Sequence, residues 1–215
     1  GSAGECLRRT QRALDRLERW CRESLMEVNA TKSETILLVA THQQANKHTV
    51  DKPPVRVTYL GQPIPYKKEV CFLGVTIDEA LTFRPHVERI AKALGRRQNI
   101  VRAVSGPRWG CSRGLMRSLH LAYCQSKMDY GLAAYGSFAS KTTLETLGAL
   151  ERKAARSITG CALDTRCTLL MREADLTPVQ ARAKAAAAAS FERHRRLAPG
   201  VPARETAERA NLAGA

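Results

Sequence analysis

Apolar and polar positions recur with two different periods along this chain, and the change of period divides it. In residues 5–28, Leu14, Leu17, Cys21, Leu25 and Val28 share one stripe, while Arg8, Arg9, Arg12, Arg16, Arg19 and Arg22 fall largely elsewhere. That pattern predicts an amphipathic helix with a solvated basic face. Short apolar runs at 35–40 (TILLVA), 55–60 and 70–77 then predict strands, the last buried and bounded upstream by Pro63, Pro65 and a lysine pair, Lys67 and Lys68. Gly61, Gln62 and Pro63 supply turn chemistry, so a hairpin into 70–77 is expected. The polar stretch 41–54, with His42 and His48, reads as a mobile loop whose histidines lie far from any cysteine or acidic cluster. The first third is thus expected to be a small antiparallel sheet of about three strands packed on the first helix.

After residue 83 the period becomes helical and stays helical. Asp78 and Glu79 end the strand, and Thr82 is placed to cap a helix that starts near Arg84 and Pro85. Val87, Ile90, Leu94, Val101 and Val104 carry its stripe, and residues 105–110 (SGPRWG) break it. Ser112 reads as the next cap, with Leu115, Leu119, Ala122 and Tyr123 facing inward. Met128 to Gly131, then Tyr135 and Gly136, suggest a bend. Residues 143–158 form another helix with Leu144, Leu147, Leu150, Ala154 and Ile158 inside, closed by Gly160. A short helix at 165–173 and a last one from Thr177 and Pro178 through the alanine run follow, the basic end at 193–196 suiting a helix C-terminus. Residues 198–215 read as a flexible tail. The expected fold is α+β and predominantly helical, divided as 5–83, 84–197 and 198–215.

Charge narrows the function. The 215 residues carry 35 Lys and Arg against 20 Asp and Glu, a net +15, which favours an anionic partner; nucleic acid leads, because phosphates gain from cations through ion pairing and counterion release. No stretch reaches the roughly 18 apolar residues of a spanning helix, so a membrane is the weaker candidate. Residues 84–127 hold ten Lys or Arg and one acid, Glu88, the densest positive field in the chain. Arg96, Arg97, Arg102, Arg108, Arg113 and Arg117 are the candidate phosphate contacts, expected on one concave flank, and Trp109 either stacks on a base or sugar or plugs the interhelix turn. His120 and Cys124 lie one helical turn apart, but two ligands do not make a metal site and core roles are expected. Seven scattered cysteines read as reduced thiols of an intracellular protein, the nucleus ahead of cytoplasm or mitochondrion. No secretory signal is recognisable, and residues 1–4 (GSAG), without an initiator Met, read as a cloning remnant on a fragment.

The residues Phe72, Leu73, Gly74, Val75, Ile77 and Asp78, followed by Leu81, Thr82, Phe83 and His86, resemble the end of the palm and start of the thumb in reverse transcriptases of non-LTR (LINE-type) retrotransposons, most closely ingi-like elements. Further matches occur in order: Leu14, Leu17 and Trp20; Val28, Asn29, Lys32 and Glu34; Tyr59, Leu60, Gly61, Ile64 and Pro65; Trp109 and Gly110; Tyr130 and Gly131; Ile158, Thr159 and Gly160. The resemblance implies a primer grip at Phe72, Leu73 and Gly74, with Lys67 and Lys68 beside it. It also implies that Lys32 occupies the position of a lysine that assists phosphate chemistry, whereas the residues alone favour an exposed loop lysine. Polymerisation requires two carboxylate-held metal ions, yet Asp15, Asp51, Asp78, Asp129, Asp164 and Asp175 never pair in sequence. By the resemblance, the metal aspartates and Mg2+ belong to a portion upstream of Glu5, so no cofactor is expected in this chain, and Lys32 is catalytic only if complemented. The expectation is backbone binding to RNA or DNA, a duplex above all. The alternative is a domesticated structural subunit of a ribonucleoprotein; the missing polymerase portion or such subunits are further candidate partners.

Overall fold

The computed structural model describes residues 3–29, 32–39, 56–105 and 110–213. The predicted loop at 41–54, with His42 and His48, and the pair Arg108 and Trp109 lie outside them. The chain divides into two compact units, Gly1–Pro85 and His86–Ala215, and the fold is α+β and mainly helical, as the two periods imply.

In the first unit, α1 (Ala3–Glu23) ends five residues short of the expected boundary. Of its predicted stripe Cys21 is buried, Leu14 and Val28 are half-buried, and Leu17 and Leu25 are exposed. The strands depart from expectation: the runs at 55–60 and 70–77 each form a local hairpin rather than pairing with each other. β1 (Thr58–Tyr59) pairs antiparallel with β2 (Gln62–Pro63), and β3 (Glu69–Phe72) with β4 (Val75–Asp78), giving two two-stranded sheets in place of one sheet of three. The run 70–77 is therefore a hairpin, not one buried strand, and β3 is largely exposed. Both turns are Leu-Gly pairs at positive φ: Leu60 at 49° with Gly61 at 75°, and Leu73 at 47° with Gly74 at 79°. Positive φ at both central residues is what a type I′ turn needs, and a two-residue loop carries the smallest closure entropy. Local closure thus wins over the longer 55–60 to 70–77 pairing.

Among its described residues, the run 35–40 forms one isolated parallel bridge, Thr35 with Tyr66, and Val39 N donates to the Glu79 carbonyl at 2.8 Å. Thr35 N donates to the Pro65 carbonyl and Lys67 N to the Thr35 carbonyl, both at 2.8 Å, but Pro63 and Pro65 have no N–H with which to extend the ladder. The Gln11 amide joins α1 to β1, donating to the Thr58 carbonyl at 3.0 Å and accepting from Thr58 N at 3.1 Å. Asp78 orders the segment that follows: its carboxylate accepts from Thr82 N (3.0 Å), Thr82 Oγ1 (2.9 Å) and Phe83 N (2.7 Å). Leucine in the left-handed region is strained by about 1 kcal/mol or more, whereas asparagine tolerates it. Leu73→Asn is accordingly expected to raise the stability of this unit by about 1 kcal/mol in urea denaturation; unchanged or lower stability would exclude turn strain.

The second unit contains most of α2 (Arg84–Ala103), then α3 (Arg113–Leu119), a π-helical segment (His120–Gln125), α4 (Ser126–Asp129), α5 (Leu132–Tyr135), α6 (Lys141–Thr159), α7 (Cys167–Glu173), α8 (Val179–Arg195) and α9 (Pro202–Ala213). The predicted caps form: Ser112 Oγ accepts from Leu115 N, and Gly160 closes α6 at φ 71°. One boundary moved upstream, because Ser140 Oγ accepts from Thr143 N at 3.1 Å and starts α6 at Lys141.

The inward stripe of 113–129 is shifted by one residue. Met116, His120, Cys124 and Met128 are buried, continuing to Leu132, while Leu115 and Tyr123 are exposed. A strict spacing of four drifts about 40° per step in an α-helix, and the wider π turn takes up that drift. Gly136 permits the close approach of α5 to α8: a Cβ there would lie 2.8 Å from Ala183 Cβ and 2.6 Å from the Leu132 carbonyl oxygen. The expected flexible tail is also corrected, since α9 packs on α8, with Ala207 buried and Arg204 Nη1 donating to the Leu197 carbonyl at 3.0 Å. Pro199 and Gly200 precede the helix rather than interrupt it, and Pro202 stands in its first turn, where its missing N–H costs nothing. All seven cysteines are free thiols, and no helix among the described residues is long and apolar enough to cross a membrane.

Candidate nucleic-acid interface

α2 positions the cations of the second unit. Its inner face holds His86, Val87, Ile90, Leu94, Gln98 and Val101, and the opposite face carries Arg89, Lys92 and Arg96, all exposed. None of these three takes part in an ion pair among the described residues. At 100° per residue they fall within about 60° of one another, so their charges project together.

Arg97 and Arg102 do not join them. Five residues apart, they sit roughly 140° from each other around the axis. Arg97 turns to one flank, where its guanidinium lies 4.6 Å from the Tyr123 ring centroid and donates to the Tyr123 carbonyl. Arg102 is exposed on the other flank.

Arg113 and Arg117, on α3, form surface ion pairs with acids of the same chain. Arg113 Nη1 lies 2.7 Å from Glu173 Oε1, and Arg117 Nη2 lies 2.7 Å from Asp175 Oδ2. Arg117 also donates twice to the Asp175 carbonyl, at 3.1 and 3.0 Å. The single concave flank expected of these arginines is thus replaced by four separate settings, with Arg113 and Arg117 offset by acids 60 and 58 residues further along. A window limited to 84–127 could not reveal those acids.

A groove of about 640 Å³ opens beside the Arg102 flank, between α2, the π-helical segment and α6. Arg102, Lys153 and Arg156 line it together with Gln98, Asn99 and Ser157, and among the described residues no carboxylate does. Lys153 and Arg156 escaped the sequence reading, although the basic run Arg152, Lys153 and Arg156 on a predicted helix was the available signal. A largely buried ionic network joins α4, α6 and α8. Arg182 donates to Asp129 Oδ1 (2.9 Å), Glu151 Oε1 (2.5 Å) and the Thr177 carbonyl, and Glu151 Oε2 accepts from Val179 N at 2.8 Å. Burial raises the Glu151 carboxyl above its ordinary range, with Arg182 and the Val179 amide opposing. Burial first, and then Arg182, lowers His120 to about 4, so its imidazole is neutral. His120 and Cys124 are core residues, and among the described residues no group of three or more His, Cys, Asp or Glu is arranged to hold a metal ion.

In the first unit, Phe72 and Leu73 form an exposed apolar tip, 64% and 74% accessible, with Gly74 completing the turn. Lys67 is exposed and Lys68 half-buried at the base of this hairpin. Lys32 is exposed in a short turn, its backbone N bonded to the Asn29 carbonyl at 3.2 Å and to Asn29 Oδ1 at 3.1 Å.

The molecule is thus a mainly helical α+β protein whose second unit gathers exposed cations on one face of α2. Its sequence relatives are polymerases of mobile elements. The probable RNA-directed DNA polymerase from transposon BS of Drosophila melanogaster is 27% identical over 82% of this chain and 18% of its own length. The RNA-directed DNA polymerase from mobile element jockey of the same species is 27% identical over 70% of this chain and 15% of its own. The corresponding polymerase of the X-element is 26% identical over 76% and 17%. The chain is related to the RNA-directed DNA polymerases of non-LTR retrotransposons, and it spans less than a fifth of the length of these curated relatives. No protein-family profile matches it, and no solved structure does.

Proposed function

We propose that the chain binds nucleic-acid backbones as a portion of a retrotransposon reverse transcriptase. Phosphates meet Arg89, Lys92 and Arg96 on the outer face of α2 and Arg102, Lys153 and Arg156 at the groove. The hairpin tip of Phe72, Leu73 and Gly74, with Lys67 and Lys68 behind it, acts as the strand-end contact of a primer grip, and Lys32 serves phosphate chemistry only alongside metal-binding carboxylates from elsewhere. The observation carrying the reading is the outer face of α2: three clustered cations without intramolecular ion pairs leave their charge available to a polyanion.

The binding is sequence-independent, because phosphate contacts carry no base information. Log affinity for a duplex is expected to fall linearly with log salt, and charge reversal of Lys92 and Arg96 to weaken binding about tenfold or more and to flatten that slope by about two phosphate contacts. Reversal of Arg113 and Arg117, whose charges Glu173 and Asp175 already offset, is expected to do less. Fluorescence anisotropy at several salt concentrations reads both effects; salt-insensitive binding, or no binding at low salt, would overturn the reading.

Trp20, Met26, Phe72 and Leu73, all more than half exposed in the first unit, favour a second reading as a ribonucleoprotein subunit that also contacts protein. A chain that co-purifies with a partner and is insoluble without it selects that one.

A further inference from the structure

The groove between α2, the π-helical segment and α6 differs from the outer face of α2 in having depth, an apolar interior and unused polar atoms. Its volume of about 640 Å³ lies in the range of small-molecule sites. Val101, Leu150, Ala154, Ile158 and Leu163 supply apolar lining, while Arg102, Lys153 and Arg156 supply positive charge without a carboxylate among them. Two lining groups have buried nitrogens that make no hydrogen bond: His120 Nε2, on a residue only 1% exposed, and Arg156 Nε. Buried polar atoms without partners are uncommon, and each calls for an explanation such as a ligand. The wall bearing His120 and Cys124 is the π-helical turn, a distortion frequent at functional sites.

Resting on the nucleic-acid reading above, we infer that this groove receives a single unpaired nucleotide: its base lies on the apolar lining with an edge toward His120 Nε2, and its phosphate sits among Arg102, Lys153 and Arg156. A flat apolar body with polar edges and an attached anion matches each part of the lining, whereas inorganic phosphate alone would leave the apolar interior and His120 unmatched. A paired base is held in its stack and cannot enter, so the groove distinguishes unpaired from fully paired nucleic acid.

Gly95 provides a clean test. It lines the groove, and a Cβ built there meets nothing within 4 Å. Gly95→Leu therefore fills the groove without removing any charge, and it raises helix propensity in α2. The full-length chain is titrated with a blunt RNA–DNA hybrid duplex and with the same duplex carrying one bulged nucleotide. The wild type is expected to bind the bulged duplex at least about fivefold more tightly, as one stacked base provides. Gly95→Leu should abolish that preference, so that bulged and blunt duplexes bind alike, with thermal unfolding confirming the fold.

Equal wild-type affinity for the two duplexes overturns the inference and leaves the backbone reading standing. A preference that persists in folded Gly95→Leu overturns it too. Failure to bind either duplex at low salt removes both. Competition by 5′-AMP but not by inorganic phosphate at equal concentration supports a base in the groove, and equal competition by the two overturns it.

Discussion

Arg182→Met is expected to destabilise the second unit by about 3–5 kcal/mol, the largest effect of any single substitution considered. The reason lies in Glu151, only 1% exposed and held between the Arg182 guanidinium and the Val179 amide at the start of α8. Removing the guanidinium leaves one amide to oppose a buried charge, and burial already drives the Glu151 carboxyl toward its neutral form. Asp129, through Arg182 on one side and Gln125 Nε2 at 3.1 Å on the other, loses its link between α4 and α8 in the same substitution. Urea denaturation followed by circular dichroism measures the effect. Adding Glu151→Gln to Arg182→Met should recover a large share, because the neutral amide needs no counter-charge. A loss below about 1 kcal/mol for Arg182→Met would mean that the network is not what joins α4, α6 and α8.

Acid is the second strong expectation. His86 and His120 are both lowered from 6.5 to about 4. For His86 the causes are burial, then Lys127 and Arg89; for His120 they are burial and Arg182, with Asp129 opposing. A depressed folded-state value means that the unfolded chain takes up the proton first. The stability linked to these histidines is therefore complete above pH 6.5 and is lost as the pH falls toward 4. Glu151 works the other way: its carboxyl is raised, so its favourable contribution belongs to low pH and is lost as the pH rises through the raised value. Between pH 6.5 and 4.5 the second unit should lose roughly 1 to 2 kcal/mol per pH unit, on the order of one proton net once Glu151 offsets part of the histidine uptake. His86→Phe keeps an aromatic ring edge-on to Tyr135, where the wild-type centroids are 4.9 Å apart, and removes one of those protons. Its urea midpoint should depend less steeply on pH than the wild type's, and an unchanged slope would show that His86 does not titrate in this window.

These two expectations depend on contacts between residues distant in sequence, which marks the limit of reading the chain by itself. The helical second half was legible because its apolar positions repeat near 3.6 and its ends carry side chains that satisfy their own neighbours: Ser112, Gly160 and the Asp78 and Thr82 pair act within five residues. The relation to retrotransposon polymerases was legible for a similar reason, since an ordered series of short matches survives whatever the packing. The hairpins were less so. A run of eight apolar and small residues reads the same whether it is one strand or two strand segments around a two-residue turn, and only the positive φ of Leu73 and Gly74 decides it.

The charge landscape needed the tertiary structure most. Sequence counted ten cations against one acid in 84–127 and placed the arginines on one flank. The fold carries Glu173 and Asp175 to Arg113 and Arg117, turns Arg97 onto Tyr123, and brings Lys153 and Arg156 from α6 to the side of Arg102. Composition determines how much positive charge a chain has, and local periodicity determines which helix face bears it. Whether that charge meets a carboxylate of the same molecule or stays open to a polyanion is decided by distances across the packed helices, because ion pairing at a surface is effective only within a few ångströms.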